Sequence, residues 1–244
     1  AVSRLQDMTP DVIDAAQRIL VGTHAPRTVN NVLRAMRAFV SRCIQQEWYE
    51  GPNPFLRVRY LRVPESERRW LSAEEIVRVF ESATAAGDNI LYFIALGVLA
   101  GLRRAEIDAA MWDWFDWPRG LLHVRHGEGF TTKSRKERTI PISSDLRALL
   151  ESRANIGYVI APDIPAHGTR YRVETERTFR AVVTAAGVPT CTPHTLRHTF
   201  ASRLVSAGVS LYKVSQWLGH RDFSTTQIYA HLAPQDADID RAKM

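Results

Sequence analysis

The chain has 244 residues, 45% hydrophobic and 24% charged, with a formal net charge of +6, a balance ordinary for a folded protein of one or two domains. Its pI of about 9.6 favours an anionic partner, nucleic acid or a membrane surface, though many basic proteins bind neither. Two distant cysteines, Cys43 and Cys191, exclude a disulfide scaffold and metal-ligand spacing. The longest apolar run, Ile90 to Ala100, falls short of the roughly 18 residues a membrane-spanning helix needs. The opening Ala1-Val2-Ser3-Arg4 has neither an initiator Met nor a signal-peptide pattern, and a soluble intracellular protein is expected.

The first elements read as helical. Thr9-Pro10 supplies a cap and a first helical position, and Val12, Ile13, Ala16, Ile19 and Leu20 follow at helical spacing. A second helix is expected from about Pro26 to Trp48, with Val29, Leu33, Met36, Val40 and Cys43 on one stripe. Its other faces carry Arg27, Arg34, Arg37 and Arg42, a basic surface suited either to phosphate or simply to solvation. Gly51-Pro52-Asn53-Pro54 breaks the pattern, and the stretch that follows, with Arg57 and Arg59, reads as extended and basic. Residues 1 to 69 hold eleven arginines, no lysine and seven acids. A small helical module over 1–62, a linker over 63–70 and a larger domain over 71–244 are expected.

The larger domain opens on Ser72-Ala73-Glu74-Glu75, the pattern of a capping box. The apolar Ile90–Ala100 helix follows, closed by Gly101. Two β-like runs, Leu121 to Arg125 and Arg138 to Ile142, flank a polar stretch suited to a hairpin or a three-stranded meander. Helices are then expected over about Asp145–Arg153, Glu174–Ala186, Pro193–Ala207 and Ser210–Leu218, with a last one beginning near Ser224 and carrying Tyr229. Helices interrupted once by a small sheet define a mainly α, α+β domain rather than an alternating βαβ fold.

Four segments concentrate polar chemistry. Arg103 follows a buried helix and a glycine, with Glu106 three positions on to brace it. Lys133, Arg135 and Lys136 crowd a basic hairpin tip, fit for phosphate contact or for a solvated turn. His194 and Arg197 share a helix face, and an imidazole beside a guanidinium can handle a proton and an anion together. Leu218-Gly219-His220 precedes Tyr229 by nine residues from the histidine. Each is weak alone, since surface ion pairs and structural histidines are common.

Their order is specific. Gly-Leu-Arg103 with Glu106, Lys133 ahead of Lys136-Glu137-Arg138-Thr139-Ile140-Pro141, His194-Thr195-Leu196-Arg197-His198, and Leu-Gly-His220 with Tyr229 resemble the motifs of the tyrosine recombinase (phage integrase) family, which includes Xer-type enzymes. The module before Ser72 resembles that family's core-binding domain, though it is short for a four-helix unit. Arg104 competes with Arg103 for the arginine's role, as do Arg135 and Lys136 with Lys133. Ala110 and Trp114 depart from the family's Leu and Asp at what look like packing positions.

The resemblance implies a site-specific recombinase that cuts and rejoins double-stranded DNA through a 3′-phosphotyrosine on Tyr229, needing neither cofactor nor metal. It implies that Arg103, Arg197 and His220 hold the phosphate, Lys133 protonates the leaving 5′-oxygen, His194 assists proton removal, and Glu106 orients its neighbours. Arg27, Arg34, Arg37, Arg57, Arg59, Arg135 and Lys136 are the expected DNA contacts. A homo-tetramer on two DNA sites is implied, in a bacterial or phage-encoded, cytoplasmic and nucleoid-associated setting, with no membrane. A topoisomerase-like or hairpin-forming enzyme would share this chemistry, and a missing residue among the six polar positions would favour a silent DNA-binding regulator that reuses the fold. None is lacking.

Overall fold

A computed structural model describes residues 4–63, 68–126, 137–153, 156–160 and 169–234, apart from the side chains of residue 6 and residues 169–174. The chain divides into two compact units, Ala1–Glu67 and Arg68–Met244. In the first, α1 (Pro10–Val21) starts where the Thr9 side chain accepts the Val12 N–H and Pro10 fills the first turn. The second helix, α2 (Pro26–Gln45), buries Val29, Leu33, Val40 and Cys43, with Met36 packed at the edge. It ends three residues before the expected limit.

A 3₁₀ turn, Pro54–Arg57, follows, capped by Asn53. Phe55 from this turn joins Ile13, Val29, Leu33 and Val40 in the unit's core. Two buried asparagines fasten the chain that follows α2. Asn53 donates to the Arg37 carbonyl and to Ser41 Oγ. Asn30 both donates to the Leu61 carbonyl and accepts its N–H, each at 2.9 Å, which replaces the strand pairing an extended segment otherwise lacks.

In the second unit the Ser72–Glu75 capping box forms as the sequence predicts and opens α3 (Ala73–Ala86). The next helix, α4 (Asp88–Leu99), is buried on every side from Ile90 to Val98, as an all-round apolar helix must be. It is the axis of the domain, packed by α3, α8 (Pro193–Ser206), α6 (Ser144–Leu150) and α7 (Thr169–Ala185). Ala100 caps α4, and Gly101 turns the chain at φ +63°. A Cβ there would collide with the Phe200 ring at 2.3 Å. The short α5 (Arg104–Asp108) follows at once.

Three antiparallel strands, β1 (Phe115–Asp116), β2 (Leu121–Val124) and β3 (Arg138–Pro141), lie in sequence order. The register pairs Leu121 with Pro141 and Val124 with Arg138, and Pro141 is tolerated because β3 is an edge strand. This is the three-stranded meander, and the domain is mainly α with a small sheet. The segment carrying Lys133, Arg135 and Lys136 lies outside the described residues. Ala110 and Trp114 are buried in the core, so the two departures from the family pattern are packing residues.

The C-terminal part holds α9 (Leu211–Leu218), opened by Ser210 and closed by left-handed Gly219, then α10 (Ser224–Gln227). The expected last helix through Tyr229 is corrected here. After Gln227 the chain tightens, Tyr229 N–H bonds the Thr226 carbonyl three residues back, and a 3₁₀ turn follows over Ala230–Leu232. The competing force is tertiary: Thr226 is fully buried and its hydroxyl is tied to His220.

Candidate active site

The site grows from the C-terminal end of α9. The last carbonyls of a helix lack intrahelical partners and carry the negative end of its dipole. Here three consecutive ones each accept from a different arginine. Arg138 Nε donates to the Trp217 carbonyl at 2.6 Å, Arg197 Nη2 to that of Leu218, and Arg103 Nη2 to that of Gly219 at 2.8 Å. Arg197 Nη1 also donates to the Gly101 carbonyl at 2.6 Å. Arg103 and Arg197, far apart in the sequence, thus meet on one short stretch of backbone.

Glu106 ties the same arginines together from behind. Its carboxylate, 1% exposed, accepts from Arg103 Nη1 at 2.8 Å and from the Arg103 backbone N–H at 2.7 Å. It also accepts two bonds from Arg138, at 2.9 and 2.7 Å, and lies 3.9 Å from Arg197 Nη1. Burial alone raises a carboxyl's pKa, but the hydrogen bonds and charge of Arg138 and Arg103 outweigh it and hold Glu106 at about 2. It is an anion throughout the neutral range.

Three guanidinium charges against this one carboxylate leave a surplus of +2 in the cluster. Arg138 spends its guanidinium on Glu106 and Trp217. Arg103, with a side chain 18% exposed, retains N–H groups that can face a ligand. Burial first, then the Arg103 charge, pushes Arg197 down to about 9, which still leaves it charged near neutral pH. A partly desolvated positive surplus is a place for an anion. Arg104, the rival for the Arg103 role, faces elsewhere and pairs with Glu176 and Asp108.

His220 follows Gly219 directly. Its Nδ1 lies 2.8 Å from Thr226 Oγ1, and burial, reinforced by Arg197 and Arg103, pushes it down to about 4. A neutral ring that accepts from Thr226 at Nδ1 keeps Nε2–H as a donor. Tyr229 is 2% exposed, and burial lifts its phenol to about 12 against the opposing charges of Arg197 and Arg68. Its hydroxyl is hydrogen-bonded to His198 Nδ1.

Four of the six expected catalytic residues, Arg103, Arg197, His220 and Tyr229, are therefore joined through the α9 terminus, Glu106 and mutual charge. His194 is exposed on α8, one turn from His198, and it is His198 rather than His194 that holds the phenol. Lys133 lies outside the described residues. Two residues were passed over in the sequence, Arg138 and His198, although both stand inside the motifs quoted above. Among the expected DNA contacts, Arg27, Arg34, Arg57 and Arg59 are exposed and Arg37 is half-buried on the first unit, where Arg34 also stacks over the Tyr60 ring at 5.0 Å. Among the described residues no cluster of His, Cys, Asp and Glu could hold a metal ion, and no helix is long and apolar enough to cross a membrane.

Comparison with known proteins gives the same class. The phage integrase family model matches residues 69–236. The putative integrase of Pseudomonas phage Pf1 is 29% identical over 86% of this chain, which spans 59% of that relative's length. Tyrosine recombinase XerA of Thermococcus kodakarensis is 32% identical over 84% of this chain and 71% of its own. The fold matches the Tn1549 transposon integrase in complex with transposon right end DNA, with a TM-score of 0.73 over 99% of this chain and 86% of that one at 19% identity. The chain belongs to the phage integrase family and is a tyrosine recombinase.

Proposed function

We propose that this chain cuts and rejoins double-stranded DNA one strand at a time, through a 3′-phosphotyrosine on Tyr229. The observation that carries this reading is the surplus of two positive charges held by Arg103, Arg138, Arg197 and Glu106 next to a buried phenol. A scissile phosphodiester entering there meets Arg103 and Arg197 on its non-bridging oxygens, with the His220 ring beside them to donate from Nε2 when Thr226 donates to its Nδ1. Charge grows on those oxygens as the pentavalent transition state forms, and a preorganised donor aimed at such charge contributes on the order of 3 kcal/mol.

A phenol is a poor nucleophile near neutral pH, so attack is coupled to proton removal. Tyr229 takes the 3′ phosphate, and Lys133 protonates the departing 5′-oxygen. A 5′-hydroxyl from the partner strand reverses the step. The phosphoester energy stays in the protein–DNA bond, so neither ATP nor a metal is consumed. Glu106 serves as the anchor that keeps Arg103 and Arg197 from repelling each other.

Arg27, Arg34, Arg37, Arg57 and Arg59 of the 1–62 module, with Arg135 and Lys136 of the 71–244 domain and the 63–70 linker between, grip the duplex. Binding then weakens steeply with salt as counterions are released. One nucleophile per chain and four strands to cut in joining two duplexes set the working assembly as a homo-tetramer on two DNA sites. The bacterial, archaeal and phage relatives fit a cytoplasmic enzyme acting on the nucleoid.

The test is covalent trapping. A nicked duplex, carrying a site selected by binding from a random-sequence pool, is incubated with protein in a chelator and run on a denaturing gel. A covalent band with wild type and none with Tyr229→Phe is the expected result. Equal bands from both proteins would move the nucleophile elsewhere.

A further inference from the structure

We propose that His198 is the proton acceptor for Tyr229, receiving the phenolic proton at Nδ1 as the tyrosine attacks, and returning it on rejoining. This rests on the phosphotyrosine reading above. It assigns the proton to a residue that neither the motif reading nor the comparisons place in the reaction.

The geometry is direct. His198 Nδ1 already contacts the Tyr229 hydroxyl, with the two rings 5.9 Å apart and tilted by 52°. Both partners are fixed from behind. Thr199, the next residue on α8, is buried, donates to the Thr195 carbonyl and accepts the Leu71 N–H at 2.9 Å. Trp70, adjacent in that strap, packs on His231 two residues beyond the tyrosine. The pair is therefore held on two sides before any ligand arrives.

As the Tyr229 Oη–phosphorus bond forms and the phosphorus–O5′ bond breaks, the phenol oxygen becomes an ester oxygen and loses its basicity. Its proton must leave along a bond that already exists, and the acceptor at the other end is Nδ1. The departing 5′-oxygen takes its own proton from the general acid or from solvent. Protons and bonds then balance in both directions.

The charges facing the pair explain why the proton stays on the phenol at rest. Burial first, then His194, Arg68 and Arg197, pushes His198 down to about 4, so its ring is neutral, and in the tautomer protonated at Nε2 its Nδ1 lone pair faces the Tyr229 hydroxyl. Arg197 and Arg68 also face Tyr229, whose phenol burial holds at about 12. A phosphate bound at Arg197 and Arg103 screens the cations that disfavour an imidazolium. The substrate thereby makes His198 a stronger base at the moment it is required.

The experiment compares His198→Asn, His198→Ala and His194→Asn with wild type on the selected nicked duplex, reading single-turnover covalent complex from pH 6 to 9. Asparagine keeps an acceptor oxygen where Nδ1 stood but cannot take a proton. The expected result for His198→Asn is a loss of about 10²- to 10⁴-fold, with a rate rising about tenfold per pH unit as hydroxide substitutes. A second reaction separates chemistry from folding. Tyr229→Phe protein is given a 3′-p-nitrophenyl phosphate strand to rejoin, whose leaving group departs without a proton. Adding His198→Asn to that protein should shift its rate by less than about threefold, because no proton acceptor is needed there.

Cleavage by His198→Asn within about threefold of wild type overturns the assignment. So does an equal loss in both reactions, which marks a structural role, or a larger loss with His194→Asn. A covalent complex that still forms with Tyr229→Phe overturns the parent reading as well. Its absence together with a competent His198→Asn removes only the assignment to His198.

Discussion

The Glu106 carboxylate and the Arg138 guanidinium, 32 positions apart, meet in a two-pronged ion pair with contacts of 2.9 and 2.7 Å. The side chains are 1% and 7% exposed, so water offers neither charge a substitute. Replacing a buried pair by apolar groups is often tolerated, whereas removing one partner strands the other. Here Glu106 also carries Arg103 and lies against Arg197, so the pair governs the placement of both phosphate-facing arginines.

Arg138→Ala is expected to cost about 3–5 kcal/mol and to lower cleavage beyond what lost folded protein explains. Arg138→Lys should recover little, since an ammonium cannot span both Glu106 oxygens and the Trp217 carbonyl. Urea unfolding beside cleavage by the folded fraction checks this. A cost below about 1 kcal/mol for the alanine variant contradicts the anchoring role.

The helix terminus beneath the arginines makes a second prediction. Gly219 closes α9 at φ +64°, and a Cβ there would lie 2.9 Å from Arg138 Cδ. Its carbonyl is the Arg103 acceptor. Gly219→Ala should therefore cost about 1–2 kcal/mol from the left-handed backbone alone, with an added steric loss, and should reduce cleavage together with stability. Thermal melts and the trapping assay read the two effects. A variant as stable and active as wild type would contradict the required turn.

Stability should fall as the solution is acidified, in two stages. His198 and His220 sit at about 4 in the folded protein against 6.5 in an open chain. The unfolded chain therefore takes up protons first, and stability is lost as pH falls from about 6.5 to 4. Glu106, at about 2 rather than 4.5, contributes stability that is complete above about 4.5 and disappears toward 2. Urea midpoints at pH 7, 5 and 3 test both stages. A midpoint unchanged between pH 7 and 5 contradicts the buried neutral histidines.

The sequence made the helices legible wherever local chemistry decided them. Thr9-Pro10, the Ser72–Glu75 box and the uninterrupted apolar run into α4 all form as their residue types dictate. The candidate site was legible as an ordered set of motifs, because Arg103, Arg197, His220 and Tyr229 occupy fixed offsets within short elements. What spacing could not carry was who faces whom. Arg138 stood in a stretch read for its lysines, and its partner is 32 residues away. His198 directly follows Arg197, and its contact with Tyr229 spans 31 residues, beyond what local spacing can carry. The helix expected through Tyr229 stopped at Gln227 because a buried Thr226 hydroxyl, tied to His220, set the backbone there.

The central claim is that Tyr229 is the atom-level point of attachment, and adduct mapping tests it most directly. DNA labelled at its 3′ phosphate is trapped on wild-type protein, digested with nuclease and protease, and the labelled peptide is sequenced by mass spectrometry. The account predicts a single nucleotide adduct on the phenol of Tyr229, absent from the Tyr229→Phe protein. An adduct on another residue, or label in the Tyr229→Phe protein equal to that in wild type, would contradict it.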